Sequence, residues 1–251
     1  MDSIIISHVA EEAANFAPSF VDTPSGFRAY LENAFRGSGL SRVRNAIEAQ
    51  YPNHYWTNQQ TRLTAILDDV VFLCNTRYLF DAYKKIGTPV YMMKYFFFNN
   101  LGLAKHGSDL LPTFWSRELN VEEFLIKYGD ISAITAARAA AQIVKLAPAY
   151  QSYFASHAIS GDPNKHRDNA TTVEWTEASY SSDGQKLENV MDVSYGLRIY
   201  FGLQEESQAT ADTCAFWLEA ASNITKAFKE ADAGEAAALR KQWYWPFGSE
   251  L

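Results

Sequence analysis

One apolar run, residues 89–98, constrains this chain more than any other stretch. Val90, Tyr91, Met92, Met93, Tyr95, Phe96, Phe97 and Phe98 leave no polar face, and Lys94 is the sole charge among them. A strand of that kind is covered on both sides, which implies a sheet held between layers of helix. Pro89 opens the run, and Asn99, Asn100 and Gly102 supply a turn after it. The loop so formed carries His106-Gly107-Ser108-Asp109. A histidine after a strand is ordinarily a hydrogen-bonded loop residue, but such a loop can also hold an imidazole against a carboxylate.

The remaining text agrees with a mixed helix and strand protein. Residues 3–9, with Ile4, Ile5, Ile6 and Val9, read as a short buried strand. Glu11 and Glu12 follow it, where acids also suit the positive end of a helix. Helices are expected up to Tyr51, interrupted at Gly37-Ser38-Gly39 and stopped by Pro52. Thr57 with Gln60 predicts a capping box. Leu63, Ile66, Leu67, Val70, Leu73 and Cys74 then recur at helical spacing, in a pattern running on to Gly87 that is long enough to bend or break. Residues 131–156 read as an Ala-rich helix broken at Pro148, ending in a Gly161-Asp162-Pro163-Asn164 turn. Lys165, His166 and Arg167 read as a solvated face. Residues 171–175 and 188–201 read as strands, Asp212 as the cap of a helix over 213–228 that buries Phe216, Ala220, Ile224 and Phe228, and the aromatic tail at 243–247 as a packed segment.

The strand at 90–98, His106-Gly107-Ser108-Asp109 and Gly161-Asp162-Pro163-Asn164, in that order, resemble the C-terminal part of the type-B carboxylesterases and lipases of the α/β-hydrolase superfamily, fungal members most closely. The resemblance implies the C-terminal portion of an α/β-hydrolase fold: a partial, mostly parallel sheet flanked by helices, with residues 1–251 forming one incomplete domain. It implies that His106 matches the general base of a Ser-His-acid triad and Glu12 the acid, with Glu11 a less favoured match one residue out of register. Ala13 stands where a glycine is commoner. Leu110, Leu111, Phe114 and Trp115 could line an acyl pocket, but core packing is the expected role of each. The resemblance implies no cofactor and no metal, and a small-molecule ester as substrate.

An esterase of this type also needs a nucleophile on a Gly-x-Ser-x-Gly elbow and an oxyanion hole of backbone N–H groups. No serine here has both glycines; Ser194, in Asp192-Val193-Ser194-Tyr195-Gly196, has one, and no Gly-Gly pair occurs. Triads of this fold run nucleophile, acid, base. The serine is therefore expected upstream of Met1, and the chain alone is expected to be inactive. The alternative is a non-catalytic interaction protein of the same family, which could self-associate or pair with another chain through an exposed sheet edge. A third reading, independent of the resemblance, is a helical protein that binds an apolar ligand among its aromatics.

Bulk properties narrow the partners. A net charge of -7 argues against a nucleic-acid surface. No stretch approaches the ~18 apolar residues of a membrane span. The first residues lack the basic and apolar regions of a signal peptide, so any secretion signal would belong to a parent sequence. Cys74 and Cys214 lie in apolar helical runs and are expected as buried free thiols, although they could pair. Two N-glycosylation triplets occur, Asn169-Ala170-Thr171 on an expected loop and Asn223-Ile224-Thr225 within an expected helix.

Overall fold

The computed structural model describes residues 3–97, 104–129, 131–195 and 199–230. Its elements in chain order are β1 (Ile4–Val9), α1 (Pro24–Ala34), α2 (Ser41–Gln50), α3 (Gln59–Leu67), a π-helical stretch (Asp68–Leu73), α4 (Cys74–Lys85), β2 (Val90–Phe96), α5 (Leu110–Thr113), α6 (Val121–Tyr128), α7 (Ala133–Ser160), β3 (Ser179–Tyr180), β4 (Leu187–Tyr195), β5 (Ile199–Glu206) and α8 (Ala211–Glu230). Phe98, the Asn99-Asn100 and Gly102 turn and the aromatic tail lie outside the described residues. The elements divide into two compact units, one made of β1 with α4 to β5 and the other of α1 to α3 with α8.

The first unit holds a mixed sheet. β2 pairs in parallel with β1 on one edge and with β4 on the other, whereas β4 pairs antiparallel with β3 and β5. The apolar run at 90–97 is buried on both sides as its composition demands. Tyr91, Met93, Tyr95 and Met191 meet Ala136, Ala139, Ile143, Tyr150 and Tyr153 of α7 on one face. Val90, Met92 and Ile6 meet Phe80 of α4 on the other. Trp175 closes the first layer: its ring meets Tyr91 and Tyr153 edge-on, and its Nε1 donates to the Met92 carbonyl at 3.1 Å.

Several expectations change on contact with tertiary structure. Pro148 does not end its helix; α7 is continuous from Ala133 to Ser160. A proline there forfeits one backbone bond, but Ile143, Leu146, Ala149, Tyr150 and Tyr153 on both sides of it pack into the same core and hold the helix together. Residues 171–175 form no strand. Side chains satisfy that backbone instead: Tyr153 Oη donates to the Val173 carbonyl at 2.6 Å and accepts from its N–H at 3.0 Å, while the Asn164 amide pairs with both backbone groups of Trp175. The Gly161 turn is as expected, with φ +72 at the helix end. Ser3 ties β1 to that turn, since its hydroxyl donates to the Gly161 carbonyl and lies 2.7 Å from His157 Nε2. With the hydroxyl proton so committed, His157 is the donor in this pair rather than a base.

At the β5 end, buried Glu206 joins three strands. Oε2 lies 3.1 Å from His8 Nε2 of β1, and Oε1 lies 3.4 Å from Lys94 Nζ of β2 and accepts from the Gln208 N–H at 2.8 Å. Burial alone would raise its pKa; His8, Lys94 and the Gln208 amide outweigh that and hold it at about 2. Nearby Asp192 has fewer compensating contacts, and burial, with the Glu206 charge, raises it to about 6 despite Lys94.

In the second unit, Thr23 caps α1 by accepting from Gly26 N–H at 3.0 Å, with Pro24 at the first helical position. The capping box of α3 is Asn58 with Thr61, one residue beyond the expected pair: Asn58 Oδ1 accepts from the Thr61 N–H at 2.8 Å and Thr61 Oγ1 accepts from the Asn58 N–H at 3.4 Å. Gln60 instead donates to the Ala17 carbonyl. Buried Arg62 gathers the loops: Nε donates to the Tyr51 carbonyl at 2.7 Å and the guanidinium lies 4.1 Å over the Phe27 ring. α8 begins before Asp212, which therefore sits in its first turn rather than capping it; its fully buried residues are Cys214, Trp217 and Ala220. Trp217 Nε1 donates to Tyr51 Oη, which donates to Asp69 Oδ2 at 2.7 Å; burial nonetheless raises Asp69 to about 6. The free-thiol expectation fails, since Cys74 and Cys214 are both disulfide-bonded. No described helix is long and apolar enough to cross a membrane.

Glu206 gives the first prediction. A carboxylate lowered from 4.5 to about 2 contributes stability above its unfolded value and loses it as pH falls through the folded one. Glu206→Gln should therefore cost roughly 3 kcal/mol at neutral pH. The gap to the parent should narrow steadily below pH 4.5 in urea melts.

Candidate active site

The parallel pairing of β1 and β2 continues past the strand ends. Val9 stands opposite Tyr95, Ala10 N–H donates to the Tyr95 carbonyl, and Glu11 N–H donates to the Ala104 carbonyl, each at 3.0 Å. An isolated parallel bridge then joins Glu11 to Lys105. The next residue on each side is Glu12 and His106, so the extended register sets the two side by side although 94 positions separate them. Glu11 spends its backbone in the bridge.

Each Glu12 oxygen has its own partner. Oε1 accepts the Val9 N–H at 2.7 Å, and Oε2 lies 2.6 Å from His106 Nδ1. The carboxylate is buried, with 8% of its side chain exposed, while His106 is 52% exposed. An ionised carboxylate only accepts, so Nδ1 carries the proton and Nε2 is the acceptor nitrogen of the neutral ring. The Phe72 ring flanks the imidazole at 5.1 Å. Gly107, with φ +79, lets the chain turn at once after His106, and the Ser108 N–H closes that turn on the Lys105 carbonyl at 2.9 Å.

A second carboxyl, that of Asp109, lies near the pair. Burial first, then the Glu12 charge, raises the Asp109 pKa, against its own and Leu110 backbone hydrogen bonds and the His106 ring. The sequence contained this residue within the His106 motif, but nothing local signalled its burial. Phe72 was equally invisible, because it comes from a distant helical segment. Of the four apolar residues expected to pack, Leu111 is buried and Trp115 partly so, whereas Leu110 is 54% and Phe114 73% exposed. Ser108 is the nearest serine in the chain, and its hydroxyl is buried rather than presented outward.

A buried carboxylate on Nδ1 of a half-exposed imidazole is a geometry that can fix the ring's tautomer and leave its other nitrogen free to accept a proton. A secreted lipase of Arthroderma benhamiae is 30% identical over 234 residues, covering 90% of this chain and 39% of that protein. The carboxylesterase patB of Penicillium expansum is 30% identical over 118 residues, covering 45% of this chain and 20% of its own length. The chain is thus similar to part of a fungal secreted lipase and part of a fungal carboxylesterase. Its fold also matches Aspergillus niger EstA with a TM-score of 0.62 at 15% identity, over 88% of this chain and 40% of that one. No protein-family model matches the chain. The chain spans 39%, 20% and 40% of the lengths of these three proteins.

The tautomer is directly testable. Nitrogen-15 NMR should find His106 protonated at Nδ1, with that proton far downfield against the Glu12 carboxylate. Glu12→Ala should abolish the downfield line; its persistence would mean that the proton has another partner.

Proposed function

We propose that this chain supplies the acid and base of a serine carboxylesterase or lipase site whose nucleophile and oxyanion hole come from a part outside residues 1–251. The single observation that carries this reading is the 2.6 Å contact between Glu12 Oε2 and His106 Nδ1. In the complete site, His106 Nε2 takes the proton of an attacking serine and returns it to the leaving alcohol, while Glu12 fixes the tautomer and stabilises the imidazolium. The 2.7 Å bond from Val9 N–H keeps the carboxylate in place throughout.

Three features support incompleteness. The sequence has no Gly-x-Ser-x-Gly elbow. The base and its neighbours Leu110 and Phe114 are exposed, as one wall of an unfinished cleft would be. Among the described residues β1 has a partner on one edge only, although its Ile-rich sequence suits the interior of a parallel sheet. An additional strand against β1 would cover it. The isolated chain should then be unreactive and carry no catalytic activity of its own.

That open edge also favours a second reading, a non-catalytic protein of the same family that pairs with another chain or with itself through β1. Secretion is part of the proposal: the two disulfide-bonded cysteines suit an oxidising compartment, and a related lipase is a secreted one. The substrate is proposed only as a carboxylic ester.

Joining the chain to, or co-expressing it with, the upstream portion of its parent should restore labelling by a fluorophosphonate probe. In that assembly His106→Ala should lower turnover roughly 10⁶-fold and Glu12→Ala roughly 10⁴-fold. Labelling of the isolated chain would overturn the reading. Failure of any upstream portion to create a reactive serine would favour the non-catalytic alternative.

A further inference from the structure

The loop after α7 contains two asparagines with opposite fates. Asn164 uses its amide internally, donating to the Trp175 carbonyl at 2.9 Å and accepting from the Trp175 N–H at 2.6 Å. Asn169 lies on an exposed turn at 168–171. Asp168 builds that turn: its side chain accepts from Ala170 N–H at 3.0 Å and from the Thr171 hydroxyl at 2.7 Å, and its carbonyl accepts from Thr172 N–H at 3.1 Å. The Asn169 amide takes part in none of these bonds. A large group on its nitrogen would therefore break no contact that holds the loop.

Asn169-Ala170-Thr171 has the acceptor pattern for N-glycosylation, with a non-proline residue in the middle. The paired cysteines add an independent pointer to a compartment in which that chemistry occurs. We propose that Asn169 carries an N-linked oligosaccharide. The donor is a lipid-diphosphate-linked oligosaccharide. The bond from its anomeric carbon to the phosphate oxygen breaks, a bond from that carbon to Asn169 Nδ2 forms, and the lipid diphosphate leaves as the amide gives up one proton. The second triplet is placed differently: Asn223 is within α8, where the Thr225 hydroxyl donates to the Ala221 carbonyl one turn back. The proposal is confined to Asn169 and rests on the secretory reading given above.

The full chain, fused to a cleavable secretion signal and translated with endoplasmic-reticulum microsomes, tests it. A one-glycan mass step is expected, removed by peptide-N-glycosidase, lost in Asn169→Gln and in Thr171→Ala, and kept in Asn223→Gln. No step in protease-protected, imported chain, or a step unchanged by Asn169→Gln, would overturn the site. Protein isolated from its own source should carry the same step. Its absence there, with the step present in microsomes, would overturn the secretory reading and not the suitability of the site.

Discussion

The contact between Glu12 and His106 depends on a parallel strand pair that keeps its register beyond its own ends. Without the bonds from Ala10 and Glu11 to Tyr95 and Ala104, the loops after β1 and β2 would be independent segments, each with its own loop entropy. With them, the Glu11 and Lys105 bridge makes the following residues neighbours. Because side chains alternate along a strand, a slip of one position would bring Glu11 rather than Glu12 toward the imidazole. The buried apolar run of β2 resists such a slip, since it would carry Tyr91, Met93 and Tyr95 out of their layer against α7.

Polar groups reinforce what the core specifies. Glu206 draws together β1, β2 and β5 on the α4 side of the sheet, while Ser3 and the Gly161 turn secure the start of β1. Tyr153 and Asn164 do the work of a missing strand for residues 171–175. In each case a buried polar atom has a specific partner, which limits the desolvation cost and leaves few alternative arrangements.

Much of the fold could be read from the sequence where the signal was strong and local. The strand at Val90–Phe96 needed no more than an apolar run broken only by Lys94, and the stop at Gly161 needed no more than turn chemistry. Local signals failed where tertiary contacts compete with them. Pro148 is a helix breaker by any propensity scale, yet the apolar residues around it prevail. The β-rich text at 171–175 finds side-chain partners in place of a ladder. Glu12 and His106 were legible as candidates through family resemblance, and their adjacency follows from the register. Asp109, Phe72 and the exposure of Leu110 and Phe114 depend on which distant surfaces meet, which no local pattern encodes.

The double engagement of Glu12 constrains the identity of the acid. One oxygen is committed to the Val9 amide at 2.7 Å and the other to the ring nitrogen at 2.6 Å. The two oxygens of an aspartate are equally far apart, but one methylene less holds them nearer the backbone of residue 12 and short of both anchors. The choice of glutamate is thus a matter of reach, measured from the main chain of the strand.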